Sequence, residues 1–507
     1  MPQNHCHTDE ERLIHFRQSL VNLLPYRADA LMNLIDALCS NTSAQSVAEL
    51  SLNPLFRYQY SSIYDAIDNF RLDLTPIPKV IVKSRQQFLP ERILPFRRRE
   101  RLHYRVFGDN LRWEKELTRL IALRLPQETE RQFILLGIDA TSQSRPFAET
   151  LSDRTMVYAP NPIASNTPVT IGHRYSTMVY FPEKRSGNAP PWVVPLSTRR
   201  IPSDESEAQV SAQQVEMLYD DEILKFNHNL CVQVVDSTLS AIAFLGRVAP
   251  KKNLVTIARL RGNRILYRLP EKDDECKRGH PRWYGARFAL KDETTWPQPD
   301  EVALTHTQTR RGKHLSVKID AWHNLVMRGS KKFLMHLFPF TLIRIMITKD
   351  GKLVFKRPLW LGVMGNRRPE ISLLEVFAAY RQRYDIEHFF RFGKQRLLWD
   401  KYQTPNLWHE ENWWQIVLLA YVQLWLAQPL ANLRPRPWER YLAKYRTSFA
   451  SPTDVVRDFQ RIISAIEPSR EMPKPRGKSP GRQKGEQPNP REKQKVIKKG
   501  KKRSQAA

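Results

Sequence analysis

Cysteine is scarce in this chain. Four occur in 507 residues (Cys6, Cys39, Cys231 and Cys276), and no two form a Cys-x2-Cys pair. That excludes a disulfide framework, and Cys276 with His280 is too isolated to make a zinc site. A reducing, cytoplasmic setting is the natural expectation. No run of about 18 apolar residues is present, which excludes a membrane-spanning helix. Met1 to Glu11 is mostly polar, so no secretory signal is expected there. Acidic residues are also short: 52 Asp and Glu face 81 Lys and Arg, a net charge of +29. A field of that sign suits a polyanionic partner, most simply nucleic acid. Charge alone does not separate DNA from RNA or from an anionic surface.

The length allows two or three domains and a sizeable core, and the 41% hydrophobic fraction is that of a globular protein. Fourteen Lys and Arg stand against three Glu from Arg470 to Ala507, a net of +11. That leaves +18 on the rest, so the body is itself basic. From Pro468 onward Pro, Lys, Arg, Gly and Gln dominate, which predicts a disordered basic tail over 468–507.

The most informative stretch is Tyr380 to Lys394. Ile371 to Leu398 has no Pro and a single Gly, Gly393. Ile386, Phe389 and Phe390 fall at helical spacings, so one helix is expected. At about 100° per residue, Tyr380, Arg383, Glu387 and Lys394 project within an arc of about 60°. A carboxylate flanked by cations and a phenol suits work on phosphate and metal. The plain alternative is a solvated charged face steadied by an Arg–Glu pair four residues apart.

Two acids elsewhere follow apolar runs. Phe133 to Asp139 reads as a buried strand ending in Asp139, with Ala140-Thr141-Ser142 as a turn. Cys231 to Asp236 repeats the device, with a short helix from Leu239 to Leu245 after it. Ligand sites of open α/β sheets lie outside the carboxyl ends of strands, where two such acids could share a metal. Either Asp alone is equally explained as a turn or cap residue.

Around these, residues 1–125 read as helical, with a basic segment from Phe96 to Arg105. This region suits either recognition of DNA or a helical cap on the next domain. Further strands are expected at 176–181, 192–196 and 253–258, and a polar helix over Glu207 to Phe226. Residues 259–365 read as a β-rich insertion, with strand candidates at 265–268, 302–305, 314–320, 333–338, 341–348, 353–356 and 358–363. Trp408 to Gln428 reads as a buried helix. The expected parts are thus 1–125 helical, 126–258 first part of a core, 259–365 insertion, 366–467 last part of the core with C-terminal helices, and 468–507 tail.

The pattern Tyr-x2-Arg-x3-Glu-x6-Lys formed by Tyr380, Arg383, Glu387 and Lys394 resembles that of bacterial DDE transposases of the insertion-sequence-4 type. Gly137-Ile-Asp-Ala-Thr141 and the segment from Val235 to Leu245 are similar to the family's first and second acid segments. Leu239 stands where an aromatic is common. The resemblance covers about Phe133 to Leu398. It implies an α/β, RNase H-like core interrupted by a β-rich insertion, with Asp139, Asp236 and Glu387 as catalytic residues holding two Mg²⁺ ions, replaceable by Mn²⁺. It implies phosphate binding by Tyr380, Arg383 and Lys394, and cutting and joining of double-stranded DNA by a homodimer in a bacterial cytoplasm, at the nucleoid. Some relatives stack a flipped base on a Trp of the insertion, and Trp283 and Trp296 lie in the corresponding region. Three alternatives stay open on the sequence: an inactive, transposase-derived DNA-binding protein, another RNase H-like nuclease, or a basic structural protein of the nucleoid.

Overall fold

The computed structural model describes residues 8–70, 107–159, 168–184, 189–224, 226–270, 282–308, 312–433, 437–439, 449–466, 483–485, 487 and 490–498. The Phe96–Arg105 basic segment, Cys6, Cys276, His280 and most of the tail lie outside these residues.

One mixed sheet organises the described chain. Its strands are β1 (Ile134–Ser144), β2 (Thr155–Tyr158), β3 (Val169–Tyr180), β4 (Val194–Ile201), β5 (Cys231–Val235), β6 (Leu254–Leu260), β7 (Ile265–Arg268), β8 (Arg287–Ala289), β9 (Glu301–Gln308), β10 (His314–Val326), β11 (Phe340–Lys349), β12 (Lys352–Leu353) and β13 (Leu359–Met364). The order across the sheet is β2-β3-β1-β5-β6-β13-β11-β10-β7-β8, with β4, β9 and β12 pairing β3, β10 and β11. β1, β5 and β6 are parallel neighbours, and every residue of β5 is buried. That is why Cys231 to Val235 reads as an unbroken apolar run apart from Gln233, whose amide donates to Thr256. The strands expected as an insertion extend this same sheet through β13, which pairs antiparallel with β6. Residues 335–337 form a short 3-10 turn instead of part of the strand expected over 333–338.

The α-helices are α1 (Asp9–Leu23), α2 (Ala28–Cys39), α3 (Ser61–Asp68), α4 (Phe107–Ala122), α5 (Glu207–Tyr219), α6 (Ile242–Val248), α7 (Leu373–Gln382), α8 (Asp385–Arg396), α9 (Leu407–Ala427) and α10 (Pro452–Ile466). α9 is the hub of the helical layer. From Asn412 to Ala427 every side chain is buried, so the helix has no solvent face. Several of its polar members bond outward: Gln415 donates to the Thr198 carbonyl and Asn412 to that of Ile67. Gln423 joins Arg17 of α1 and Asp36 of α2 in one buried network. α1, α2 and α3 therefore pack on α9 as a helical cap.

Two expected local structures differ. Ala140-Thr141-Ser142 is not a turn. These residues continue β1, paired residue for residue with β3. Nor is 371–398 one helix. α7 and α8 meet at Arg383–Tyr384, where backbone N–H groups bond three residues back, Arg383 to Tyr380 and Tyr384 to Arg381. This tight turn separates α7 from α8. Asp385 at its first position pairs with Lys184 at 2.7 Å, and the Gln382 amide donates to the Pro182 carbonyl. Both contacts tie the junction to the loop that follows β3. Of the expected disordered tail, residues 490–498 lie against the body. The Ile497 N–H donates to the Arg154 carbonyl, and the buried Arg154 guanidinium donates to that of Gln494.

Candidate active site

The parallel register brings the first two acids together. Ile138 is opposite Val235, so Asp139 and Asp236 are the next residues along neighbouring strands. Beyond Val235 the chain leaves the sheet. Asp236 caps that departure: its carboxylate accepts the N–H groups of Thr238 and Leu239 and the Thr238 hydroxyl.

A glycine brings the third acid close. Gly137 lies two residues before Asp139, on the same face of β1. A Cβ there would stand 2.5 Å from the Phe181 ring and 3.0 Å from Ile386. Without one, α8 seats Ile386 directly on β1. That places the α7–α8 junction over Asp139. Arg383 Nη1 donates to Asp139 Oδ2 at 2.9 Å, and its Nη2 lies 3.4 Å from Glu387 Oε1. One guanidinium thus bridges the first acid and the glutamate. Asp139 is largely shielded, with its side chain 19% exposed, whereas Glu387 is open at 43%.

The remaining stripe residues line the same edge. Lys394 donates to the Thr141 hydroxyl at 2.7 Å and to the Ser142 carbonyl at 2.9 Å. Burial lowers its pKa. Tyr380 is half-buried with the Arg383 guanidinium 6.0 Å from its ring, and burial raises the pKa of its phenol. The structure therefore gathers Asp139, Asp236, Glu387, Arg383, Tyr380 and Lys394 at the carboxyl ends of the parallel strands. Trp296 is elsewhere: its indole donates to the Ala289 carbonyl and packs among Trp322, Trp360 and Arg344. Trp283 is partly exposed and stacks on His336 at 4.2 Å.

Sequence reasoning missed one acid. Glu207, the first residue of α5, is buried, pairs with Arg174, and repels both Asp139 and Asp236. Its only signal was a capping box, Ser206 with Gln209, at a helix start. Burial pushes the Asp139 carboxyl up to about 6; Arg383 opposes this, while Asp236 and Glu207 add to it. Oxygen donors carrying uncompensated negative charge fit a hard divalent cation. Arg383 already supplies one positive charge between two of them. Among the described residues no three His, Cys, Asp or Glu side chains stand close enough to hold a metal as placed.

Carboxylates at the ends of parallel strands, faced by helix-borne cations, mark the candidate site of this α/β protein, a set of groups whose chemistry suits phosphate. Residues 92–316 match the family model described as DDE superfamily endonuclease, and residues 219–423 match that of the transposase DDE domain. The first match contains Asp139 and Asp236, the second Asp236, Glu387 and Lys394. The two matches support a DDE transposase, and with it DNA as the partner. A search of curated proteins returned no match. Among the described residues no helix is long and apolar enough to cross a membrane.

Proposed function

We propose that the chain is a transposase of the insertion-sequence-4 type, with an RNase H-like core, that cuts and rejoins DNA at phosphodiesters. The observation that carries this reading is the convergence on Asp139: Asp236 beside it by strand register, and Glu387 joined to it through Arg383. Asp139, Asp236 and Glu387 would hold the divalent ions, Mg²⁺ with Mn²⁺ as substitute. When bound, two such ions activate water or a 3′-hydroxyl and neutralise charge at the leaving oxygen.

The chain's own groups bind and orient the DNA. Arg383 offers a planar fork to phosphate oxygens, and its present carboxylate partners hold it at the spot where a phosphate must come. Lys394 is fixed by Thr141 and Ser142, so it presents a positioned charge beside β1. Tyr380 keeps its proton over the whole working range, because its pKa is raised, and can donate to a phosphate oxygen. The body's net positive charge extends the grip along the duplex. On the same reading the working form is a homodimer holding two element ends in a bacterial cytoplasm.

The test is cleavage of a linear duplex carrying the DNA that flanks this coding sequence, with Mg²⁺ or Mn²⁺. The native protein should cut at the element ends. Glu387→Gln should lose about three orders of magnitude in rate while still binding the duplex. Binding with no cleavage by either protein would favour an inactive, transposase-derived DNA-binding protein. Equal cleavage by both would remove Glu387 from the mechanism.

A further inference from the structure

The β11–β12 hairpin ends in a short connection made by Asp350 and Gly351, with φ of +49° and +76°. Positive φ at both central residues is the primed turn that matches strand twist, and Asp-Gly suits it. Lys349 pairs with Lys352 across it. Val354 then donates its N–H to the Ile347 carbonyl, and residues 354–358 bulge out before β13 begins. Every residue from Lys349 to Pro358 is exposed. Within that stretch Leu353 is 58%, Val354 43% and Phe355 61% exposed. Three large apolar side chains at one exposed tip are unusual on a soluble surface.

Charge indicates what covers them. Lys349, Lys352, Lys356 and Arg357 flank the apolar residues, against one acid, Asp350. Among the described residues only Lys349 has an acidic partner, Asp350 at 3.5 Å. Apolar side chains set between cations match a duplex: the cations meet phosphates, and the apolar groups enter the minor groove and part a base step.

The sheet places this tip relative to the acids. β11 runs in the same direction as β1, β5 and β6, because two antiparallel pairings, β6–β13 and β13–β11, separate it from them. Val235 is level with Ala258, Ala258 with Gly362, and Gly362 with Leu342. Asp236 is therefore level with Ile343. Lys349 lies six residues further on, about 20 Å, and three strands aside, about 14 Å. The tip thus stands beyond the acidic edge at about 25 Å from Asp236, about seven base pairs of B-DNA. β9 is also fastened to α7, since Arg381 donates to the Thr307 hydroxyl at 2.6 Å.

We propose that residues 349–357 are a duplex-DNA contact in which Leu353 and Phe355 wedge into the minor groove about seven base pairs from the scissile phosphate, between phosphates held by Lys352, Lys356 and Arg357. The proposal rests on the DNA-cutting reading above, and assigns the hairpin a place in it. A wedge there favours flexible pyrimidine–purine steps and bends the duplex over the body.

The experiment uses the full chain and the flanking-DNA duplex, with 2-aminopurine placed at successive positions as the unstacking probe. Binding, cleavage and fluorescence are read for the native protein, for Leu353→Ser combined with Phe355→Ser, and for Lys352→Gln, Lys356→Gln and Arg357→Gln combined. All five side chains are exposed, so folding is not at risk. The native protein should raise fluorescence at one step about seven base pairs from the cut. The apolar variant should lose that signal and bind about tenfold more weakly. The cationic variant should flatten the salt dependence of binding by about one unit of slope per residue. If the native protein cleaves and the apolar variant matches it in signal and affinity, the wedge is wrong and the enzyme reading stands. If the native protein neither binds nor cleaves, both fall. If the tip variants instead change self-association or binding to anionic vesicles, leaving DNA binding intact, the tip belongs to another partner and the proposal is overturned.

Discussion

β1 carries Asp139, and six residues on the chain places Arg145 just beyond it. Each belongs to an arginine–carboxylate cluster, and the two clusters reach opposite charge balances. Arg145 and Glu410 are fully buried. The Glu410 carboxylate accepts from Arg145 at 2.8 Å, His173 at 2.7 Å and the Tyr175 hydroxyl at 2.8 Å. The other Arg145 N–H groups reach the carbonyls of Ser144, Asp400 and Tyr402. Burial alone would raise the Glu410 pKa, but His173 and Arg145 outweigh it and bring the carboxyl down to about 2. Asp139 has a backbone N–H and one guanidinium, and two like charges nearby, so its carboxyl rises to about 6. The interior cluster is electrically closed. The edge cluster retains negative charge that further positive charge would relieve, and this distinguishes a structural ion group from a site.

The comparison breaks most sharply at Glu410. Glu410→Gln leaves Arg145 buried without its counter-ion and should cost about 3–5 kcal/mol, read by urea denaturation at neutral pH. The sign with pH follows from the depressed pKa. The stabilisation is fully present above the unfolded value near 4.5 and is lost as pH falls toward 2. The gap between native and variant should therefore close in acid. A gap that persisted unchanged below pH 3 would mean that packing, not charge, is what the substitution removes.

Asp139→Asn should act in the other direction. Its folded carboxyl holds its proton more tightly than the unfolded one, so native stability falls as pH rises from 3.8 through about 6. Asparagine carries no such penalty. The variant should be the more stable protein above pH 6, by up to about 3 kcal/mol, and level with the native protein below pH 4. It should also lose cleavage. Greater stability together with lost activity is the signature of a site that holds uncompensated charge for use. A variant less stable than the native protein at pH 8 would show that the Arg383 contact outweighs the repulsion.

Much of the edge was legible in the sequence. The strand ending at Val235 and the α8 helix announce themselves by apolar spacing, and the pattern from Tyr380 to Lys394 marks the stripe. What was not legible was three-dimensional. Asp139 looked terminal because its apolar run stops there, yet β1 continues to Ser144 on hydrogen bonds to β3 that have no sequence period. The turn at Arg383–Tyr384 contains neither Gly nor Pro. It is held from outside, by Pro182 and Lys184, about 200 residues earlier in the chain. Glu207 was invisible for the same reason, since its neighbours come from other strands. The interior cluster was masked differently: Arg145, His173 and Glu410 look like scattered polar residues until α9 lies across β3.

The smallest predicted effect asks whether the two halves of the stripe are one rigid unit. Ser372 caps α7, accepting the Glu375 N–H, while the Glu375 carboxylate accepts the Ser372 N–H. Ser372→Ala removes the first of these bonds and should cost about 1 kcal/mol by thermal or urea unfolding. Tyr380 lies eight residues away, two turns along α7, and Arg383 is anchored separately through Asp139 and Glu387. Fraying confined to the first turn leaves both in place, so the cleavage rate should stay within about twofold of native. A larger loss of rate would mean that the edge is positioned by α7 as a whole, and that the open cluster depends on helix stability as much as the closed one does.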